Sequence, residues 1–86
     1  MPYIYKVRDV AHDRTDKERR TLIIGCLHNF GTTGNITGYR GRYLDIETDQ
    51  EINSACLTEL NANSFWVYAP HNKNLYWKYM RPGDSS

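Results

Sequence analysis

The sequence lacks any long apolar run, because the longest one covers only residues 22–27 of the 86. A helix that crosses a bilayer needs about 20 apolar residues, so the sequence argues against a membrane-spanning helix. The first residues do not have the charged and then apolar pattern of a secretory leader. Cysteine is also scarce, and Cys26 and Cys56 form no disulfide framework. We therefore predict a cytoplasmic protein whose two cysteines are reduced and buried.

Signatures of catalysis and of metal binding are also absent. The glycine-rich stretch 31–41 lacks the Lys-Ser/Thr ending of a phosphate-binding loop. Cys26, His28, Cys56 and His71 do not form the closely spaced pairs of a zinc site. Cys56 with either histidine fits no motif of an activated nucleophile. We therefore predict a protein that is not an enzyme and holds no metal or cofactor.

Positive charge is missing from the middle of the chain. Residues 43–72 contain five Asp or Glu and no Lys or Arg, whereas residues 1–42 contain eight Lys or Arg and four Asp or Glu. The net charge of the whole chain is only +1. Two interpretations of this distribution are open: a polarised surface that steers a charged partner, or an ordinary solvated surface in which folding interleaves the charged blocks. The second is the favoured one.

Aromatic residues are abundant and concentrated near the end of the chain. Residues 65–69 and 75–80 are rich in aromatic and β-branched side chains and are separated by a short polar segment, which predicts a β-hairpin. The hairpin holds both tryptophans of the chain. Alternation along a strand places Trp66 and Tyr68 on one face. We expect Trp66, Tyr68 and Tyr76 to be exposed, and Trp77 and Tyr79 to join the core.

The rest of the chain predicts three more strands and one helix. Alternation at residues 3–8 indicates a strand. The charged residues 9–20 indicate a solvated connection or a short frayed helix, and we expect this segment to be mobile. The apolar, β-branched segment 21–30 favours a central strand. A further strand is predicted over 36–47, with a bulge or a close backbone approach at Gly38 or Gly41.

The helix is predicted from a capping box. Thr48 and Glu51 have the spacing with which each side chain caps the other residue's backbone, and apolar residues then recur at helical spacing up to residue 61. We therefore predict one α+β domain over residues 1–86, with about five antiparallel strands, one helix near 49–61 and a frayed tail at 81–86. A small half-open β-barrel with one helix is the alternative architecture.

Two kinds of partner are compatible with these residues. Tyr, Trp and Arg dominate protein interfaces, and we predict a protein-binding inhibitor or regulator that acts stoichiometrically, as phage or mobile-element proteins do against host nucleases or other defence machinery. The predicted contact residues are Trp66, Tyr68, Tyr76, Lys78, Asp45, Glu47 and Glu51. A homodimer is a further alternative.

The other partner is RNA, single-stranded DNA or a nucleotide. Arginine binds phosphate through two nitrogens and tyrosine stacks on bases. The segment that would carry this activity combines Tyr39, Arg40, Arg42 and Tyr43 around Gly41. In one regular strand the arginines and tyrosines would point to opposite faces, so this site requires a bulge at Gly41.

Overall fold

The chain forms one open sheet with two helices packed on one of its faces. The computed structural model describes residues 2–71 and 76–81. The elements are β1 (Tyr3–Asp9), α1 (Asp16–Asn29), β2 (Gly34–Arg40), β3 (Tyr43–Thr48), α2 (Ser54–Ala62), β4 (Phe65–Pro70) and β5 (Trp77–Tyr79). The strand order is β2-β3-β1-β4-β5, and all neighbouring strands are antiparallel. The first six elements of the chain follow the order β-α-β-β-α-β, which is that of the split βαβ, or ferredoxin-like, arrangement.

This architecture confirms the predicted α+β class with five antiparallel strands. The sheet is open and does not close into a barrel, so the alternative architecture is not formed. Neither of the described helices is long and apolar enough to cross a membrane. Apart from Arg81, the tail predicted at 81–86 lies outside the described residues, as do residues 72–75 between the two predicted strands and at the start of the second one.

The core lies between the helices and one face of the sheet. Side chains alternate along each strand, and every second residue of the central strands is buried. The buried apolar residues are Tyr5, Val7, Leu44, Ile46, Phe65 and Val67 from the sheet, Ile23, Cys26 and Leu27 from α1, Cys56, Leu57 and Leu60 from α2, and Ile52 from the loop before α2. The other face of the sheet is therefore left without a helix among the described elements.

The prediction of a strand at 21–30 is wrong, because residues 21–29 belong to helix α1 and Phe30 is its C-cap. The helix begins at a capping box that the sequence analysis missed. The Thr15 hydroxyl accepts a hydrogen bond from the Glu18 amide at 3.2 Å, and the Glu18 carboxylate accepts one from the Thr15 amide at 3.1 Å. The connection predicted at 9–20 is consequently shorter, since residues 16–20 form the first turns of α1.

The helix predicted at 49–61 exists but begins five residues later, at Ser54. Its N-cap is Asn53, whose side chain accepts a hydrogen bond from the Cys56 amide at 2.8 Å. Thr48 does not cap a helix, because it is the last residue of β3 and its hydroxyl donates to the Gln50 carbonyl at 2.6 Å.

The strand predicted at 36–47 is a hairpin of two strands, β2 and β3. Gly41 has a φ of +61°, a left-handed conformation that glycine adopts at little cost, and the chain reverses there. The ladder also shifts register between Ile36 and Gly38, which is the irregularity predicted near Gly38. The predicted number of strands was correct because the extra strand of this hairpin replaces the segment that became α1.

Candidate binding face

The candidate site is the sheet face that the helices leave uncovered, which we call the outer face. Successive strand residues point to opposite sides, so this face carries the residues that alternate with the buried ones. None of them is fully buried. Its side chains are those of Ile4, Lys6, Arg8, Asn35, Arg40, Tyr43, Asp45, Glu47, Trp66 and Tyr68, with Trp77 and Tyr79 at the β5 edge.

One row of the outer face alternates arginines with aromatic rings across four strands. Arg40 lies opposite Tyr43, Tyr43 opposite Arg8, and Arg8 opposite Trp66 in the strand register. The Arg8 guanidinium carbon lies 5.7 Å from the ring centre of Tyr43 and 5.7 Å from that of Trp66. Both distances fall within the range of cation–π attraction. We call these four residues the Arg–aromatic row.

A cluster of rings continues from this row toward β5. The ring centre of Tyr79 lies 5.8 Å from that of Trp66 and 5.5 Å from that of Tyr68, and both pairs are tilted. The Tyr79 hydroxyl donates to the Asn61 side chain at 3.1 Å, so Tyr79 links this edge of the sheet to α2. We call Trp66, Tyr68 and Tyr79 the aromatic cluster. Burial raises the pKa of Tyr68 above its ordinary value of 10.0, so its hydroxyl stays protonated to a higher pH than that of an exposed tyrosine.

Lys6 lies beside the aromatic cluster and connects it to the acidic part of the face. Its ammonium lies 4.8 Å from the ring centre of Trp77 and 4.0 Å from an Asp45 carboxylate oxygen. Glu47 lies on the same face, two residues further along β3. The outer face is therefore basic and aromatic at the end of Arg8 and Arg40, and acidic at the end of Glu47.

The end of β1 that carries Arg8 is fixed by a buried carboxylate. Asp9 is fully buried, and its two oxygens accept hydrogen bonds from Arg14 at 3.3 Å and from Arg19 at 2.7 Å. The hydrogen bond to Asp9 is the main cause of the raised pKa of Arg19. No local sequence motif indicates this network, because Asp9 ends a strand, Arg14 lies in the connection and Arg19 lies in a helix.

The structure brings together some of the predicted protein-binding residues. Trp66, Tyr68, Asp45 and Glu47 share the outer face. Trp66 is 40% exposed as expected, whereas Tyr68, which was also expected to be exposed, is half-buried. The remaining three lie apart from them. Tyr76 precedes β5 and is 64% exposed, Lys78 is exposed on the opposite side of β5 from its neighbours, and Glu51 follows β3 and lines a shallow depression with Tyr3, Ile4, Pro70 and Met80.

Two predictions about the hairpin core were wrong. Trp77 and Tyr79 were expected in the core with residue 75, but both are half-buried and lie outside the core cluster. Their neighbours are Lys6 for Trp77, and Trp66 and Tyr68 for Tyr79. The register explains this difference, since Tyr79 pairs with Tyr68 and therefore lies on the side opposite Val67.

The predicted nucleic-acid segment is only partly assembled. The turn at Gly41 makes Arg40 and Tyr43 direct cross-strand neighbours on the outer face. Tyr39 points to the helix side, where it packs on the core and its hydroxyl accepts a hydrogen bond from Arg20. Arg42 lies in the turn and donates to His12 Nδ1 at 2.7 Å. Arg40 and Tyr43 therefore share one surface, from which Tyr39 and Arg42 are separated.

The two cysteines lie in the helix layer, away from the outer face. Both thiols are buried and hydrogen-bond to each other. Burial raises the pKa of Cys56 to about 12, and it also raises that of Cys26. A thiol with such a pKa is a poor nucleophile at neutral pH. His28, one of the residues considered for a metal or catalytic site, is exposed near the end of α1. In residues 2–71 and 76–81, no three His, Cys, Asp or Glu residues are grouped as metal ligands would be.

No family model, curated protein or solved structure matches the chain. A function is therefore inferred from the geometry of the outer face.

Proposed function

We propose that the protein is a non-catalytic binding module that holds one protein partner on its outer face. The aromatic cluster carries this proposal, because three large rings lie side by side on a sheet face that no described helix covers. Clustered Trp and Tyr side chains bury a large area on binding and lose little conformational entropy. Trp66 is 40% exposed and the rings of Tyr68 and Tyr79 are half-buried, so the cluster offers a partly exposed aromatic surface of the kind that marks interaction sites.

The charges beside the aromatic cluster define which partner would fit. Asp45 and Glu47 lie at one end of the outer face, and Arg8 and Arg40 lie at the other. A partner with a basic region and an acidic region at the same spacing would bind in a single orientation, because the reverse orientation would bring like charges together. A nucleic-acid-binding enzyme, such as a host nuclease or a defence protein in the cytoplasm, would present the basic surface that complements Asp45 and Glu47. The protein would then act as a stoichiometric inhibitor or regulator of that enzyme.

The test compares what three versions of the purified protein retain from a nuclease-treated lysate of the native cell. The versions are wild type, the double variant Trp66→Ala/Tyr68→Ala and the control Leu22→Ala. Leu22 is a suitable control because it is an exposed apolar side chain on α1, away from the outer face. The proposal expects one protein at a fixed ratio to the wild type and to the Leu22 variant, and its loss from the double variant.

Retention of that protein by the double variant would contradict the proposal, and so would retention that requires nucleic acid. Charge reversal at Asp45 and Glu47 tests the electrostatic part, because it should weaken the capture of a basic partner and leave the capture of a neutral one unchanged. The homodimer is the remaining alternative. Light scattering over a range of concentrations would detect it as a rise of the molar mass to twice that of one chain.

A further inference from the structure

The Arg–aromatic row has a regular pattern that the proposed protein partner does not require. Arg40, Tyr43, Arg8 and Trp66 occupy successive strands. Neighbouring strands lie about 4.8 Å apart, so the row extends over about 14 Å. Cation and ring alternate along it, so the row offers guanidinium groups for the phosphates and rings for the bases of a single strand of nucleic acid.

Neither arginine of the row is neutralised by a carboxylate: Arg40 is exposed, and the side chain of the half-buried Arg8 hydrogen-bonds only to the neutral side chain of Tyr68 among the residues that the structure describes. Arg8 and Arg40 form no ion pair with any carboxylate in the described part of the chain. Arg14 and Arg19 differ, because both bind the buried Asp9. A guanidinium without a carboxylate partner offers parallel N–H donors that match two phosphate oxygens.

The two rings of the row are accessible from the same side. Trp66 is 40% exposed and Tyr43 is half-buried. The Arg8 guanidinium carbon lies between them, 5.7 Å from each ring centre. Bases stack on tyrosine and tryptophan rings and on guanidinium planes, provided that they are not already paired within a duplex.

We infer that the Arg–aromatic row binds single-stranded nucleic acid, with bases stacked on Tyr43 and Trp66 and phosphates held by Arg8 and Arg40. This site keeps only Arg40 and Tyr43 of the segment predicted from the sequence. The inference is independent of the protein partner, because it is measured with purified protein and oligonucleotide alone.

The test is fluorescence anisotropy of labelled single-stranded RNA and DNA of about ten nucleotides, a length within the usual site size. Two phosphate contacts on a single strand predict that binding weakens about sevenfold between about 50 and 200 mM salt. Arg8→Gln and Arg40→Gln should each reduce both the affinity and this salt dependence. Tyr43→Ala should weaken binding at least about fivefold through the loss of one base stack.

The matched control is Lys17→Gln, which removes one positive charge from the exposed surface of α1. It should leave the affinity within about twofold of wild type if the row is the site, since α1 packs on the opposite face of the sheet and surface charges are screened by salt. Circular dichroism of each variant verifies that the fold is retained.

Three results would overturn the inference. The first is the absence of oligonucleotide binding at the lower salt concentration. The second is an equal loss of affinity in Lys17→Gln and Arg8→Gln, which would mean that only net charge matters. The third is equally tight binding of a duplex or of a polyglutamate peptide, because neither offers unpaired bases to Tyr43 and Trp66.

Discussion

Arg19 donates a hydrogen bond from Nε to the buried Asp9 carboxylate at 2.7 Å, and this contact joins the first turn of α1 to the end of β1. Asp9 also binds Arg14 and accepts from the Ala11 amide at 2.9 Å. The loop between β1 and α1 is therefore organised around one carboxylate. The same contact fixes the position of the strand end that carries Arg8 on the outer face.

Asp9→Asn should lower the free energy of unfolding by about 3 kcal/mol, because it leaves two partly buried guanidinium groups without their counter-charge. Asp16→Asn is the matched control. Asp16 also pairs with Arg19, at 2.7 Å, but its side chain is 70% exposed, so its loss should cost less than about 1 kcal/mol. Urea unfolding measures both values, and equal effects of the two variants would show that burial of Asp9 does not matter.

Two glycines should respond to alanine in opposite directions, although an added Cβ meets no atom within 4 Å at either position. Gly25 lies inside α1, where alanine should stabilise the fold by about 0.5–1 kcal/mol. Gly41 has a φ of +61°, so alanine there should destabilise the fold by about 1–2 kcal/mol. Thermal unfolding gives the sign of each change. A gain of stability in Gly41→Ala would contradict the structure of the β2–β3 turn.

The buried thiols predict a pH dependence of stability at alkaline pH. The pKa of Cys56 rises to about 12 in the folded protein, mainly through burial, from an ordinary value of 9.0. The unfolded chain therefore loses this proton more readily. The resulting contribution to stability is complete below pH 9.0 and is lost as the pH rises toward about 12.

Iodoacetamide alkylation tests the state of Cys56 directly, because only the thiolate reacts. Mass spectrometry should show that Cys56 in the native protein reacts at least about a hundredfold more slowly than in urea at the same pH. Equal rates in the two states would contradict the burial of this thiol and the packing of α1 against α2.

The sequence predicted the parts of the fold in which a local pattern had only one interpretation. The predicted strand at 3–8 and the predicted aromatic hairpin are confirmed as β1 and as the pair β4–β5. Both predictions were based on side-chain patterns with a period of two. The apolar run 22–27 was misassigned because a short apolar run fits a buried strand and a helix equally well. The capping box of Thr15 and Glu18 separates these possibilities. Both residues lie within the charged segment that was expected to be a solvated connection or a short frayed helix.

The composition of the candidate site could be predicted, but its arrangement could not. Trp66 and Tyr68 were expected on a common exposed face. Their proximity to Arg8 and Lys6 depends on the register of β1 with β4, which pairs residues about 60 positions apart and which no local pattern encodes. The neighbours Arg40 and Tyr43 similarly depend on the turn at Gly41.

The most direct test of the central claim uses the indole N–H signals in the NMR spectrum of the labelled protein. The chain has two tryptophans, Trp66 and Trp77, and both lie on or at the edge of the outer face. If this face is the binding surface, addition of the captured protein or of an oligonucleotide should shift or broaden the Trp66 signal, while the amide signal of Leu22 on α1 stays unchanged. A ligand that binds and shifts the Leu22 amide without affecting either indole would contradict the account.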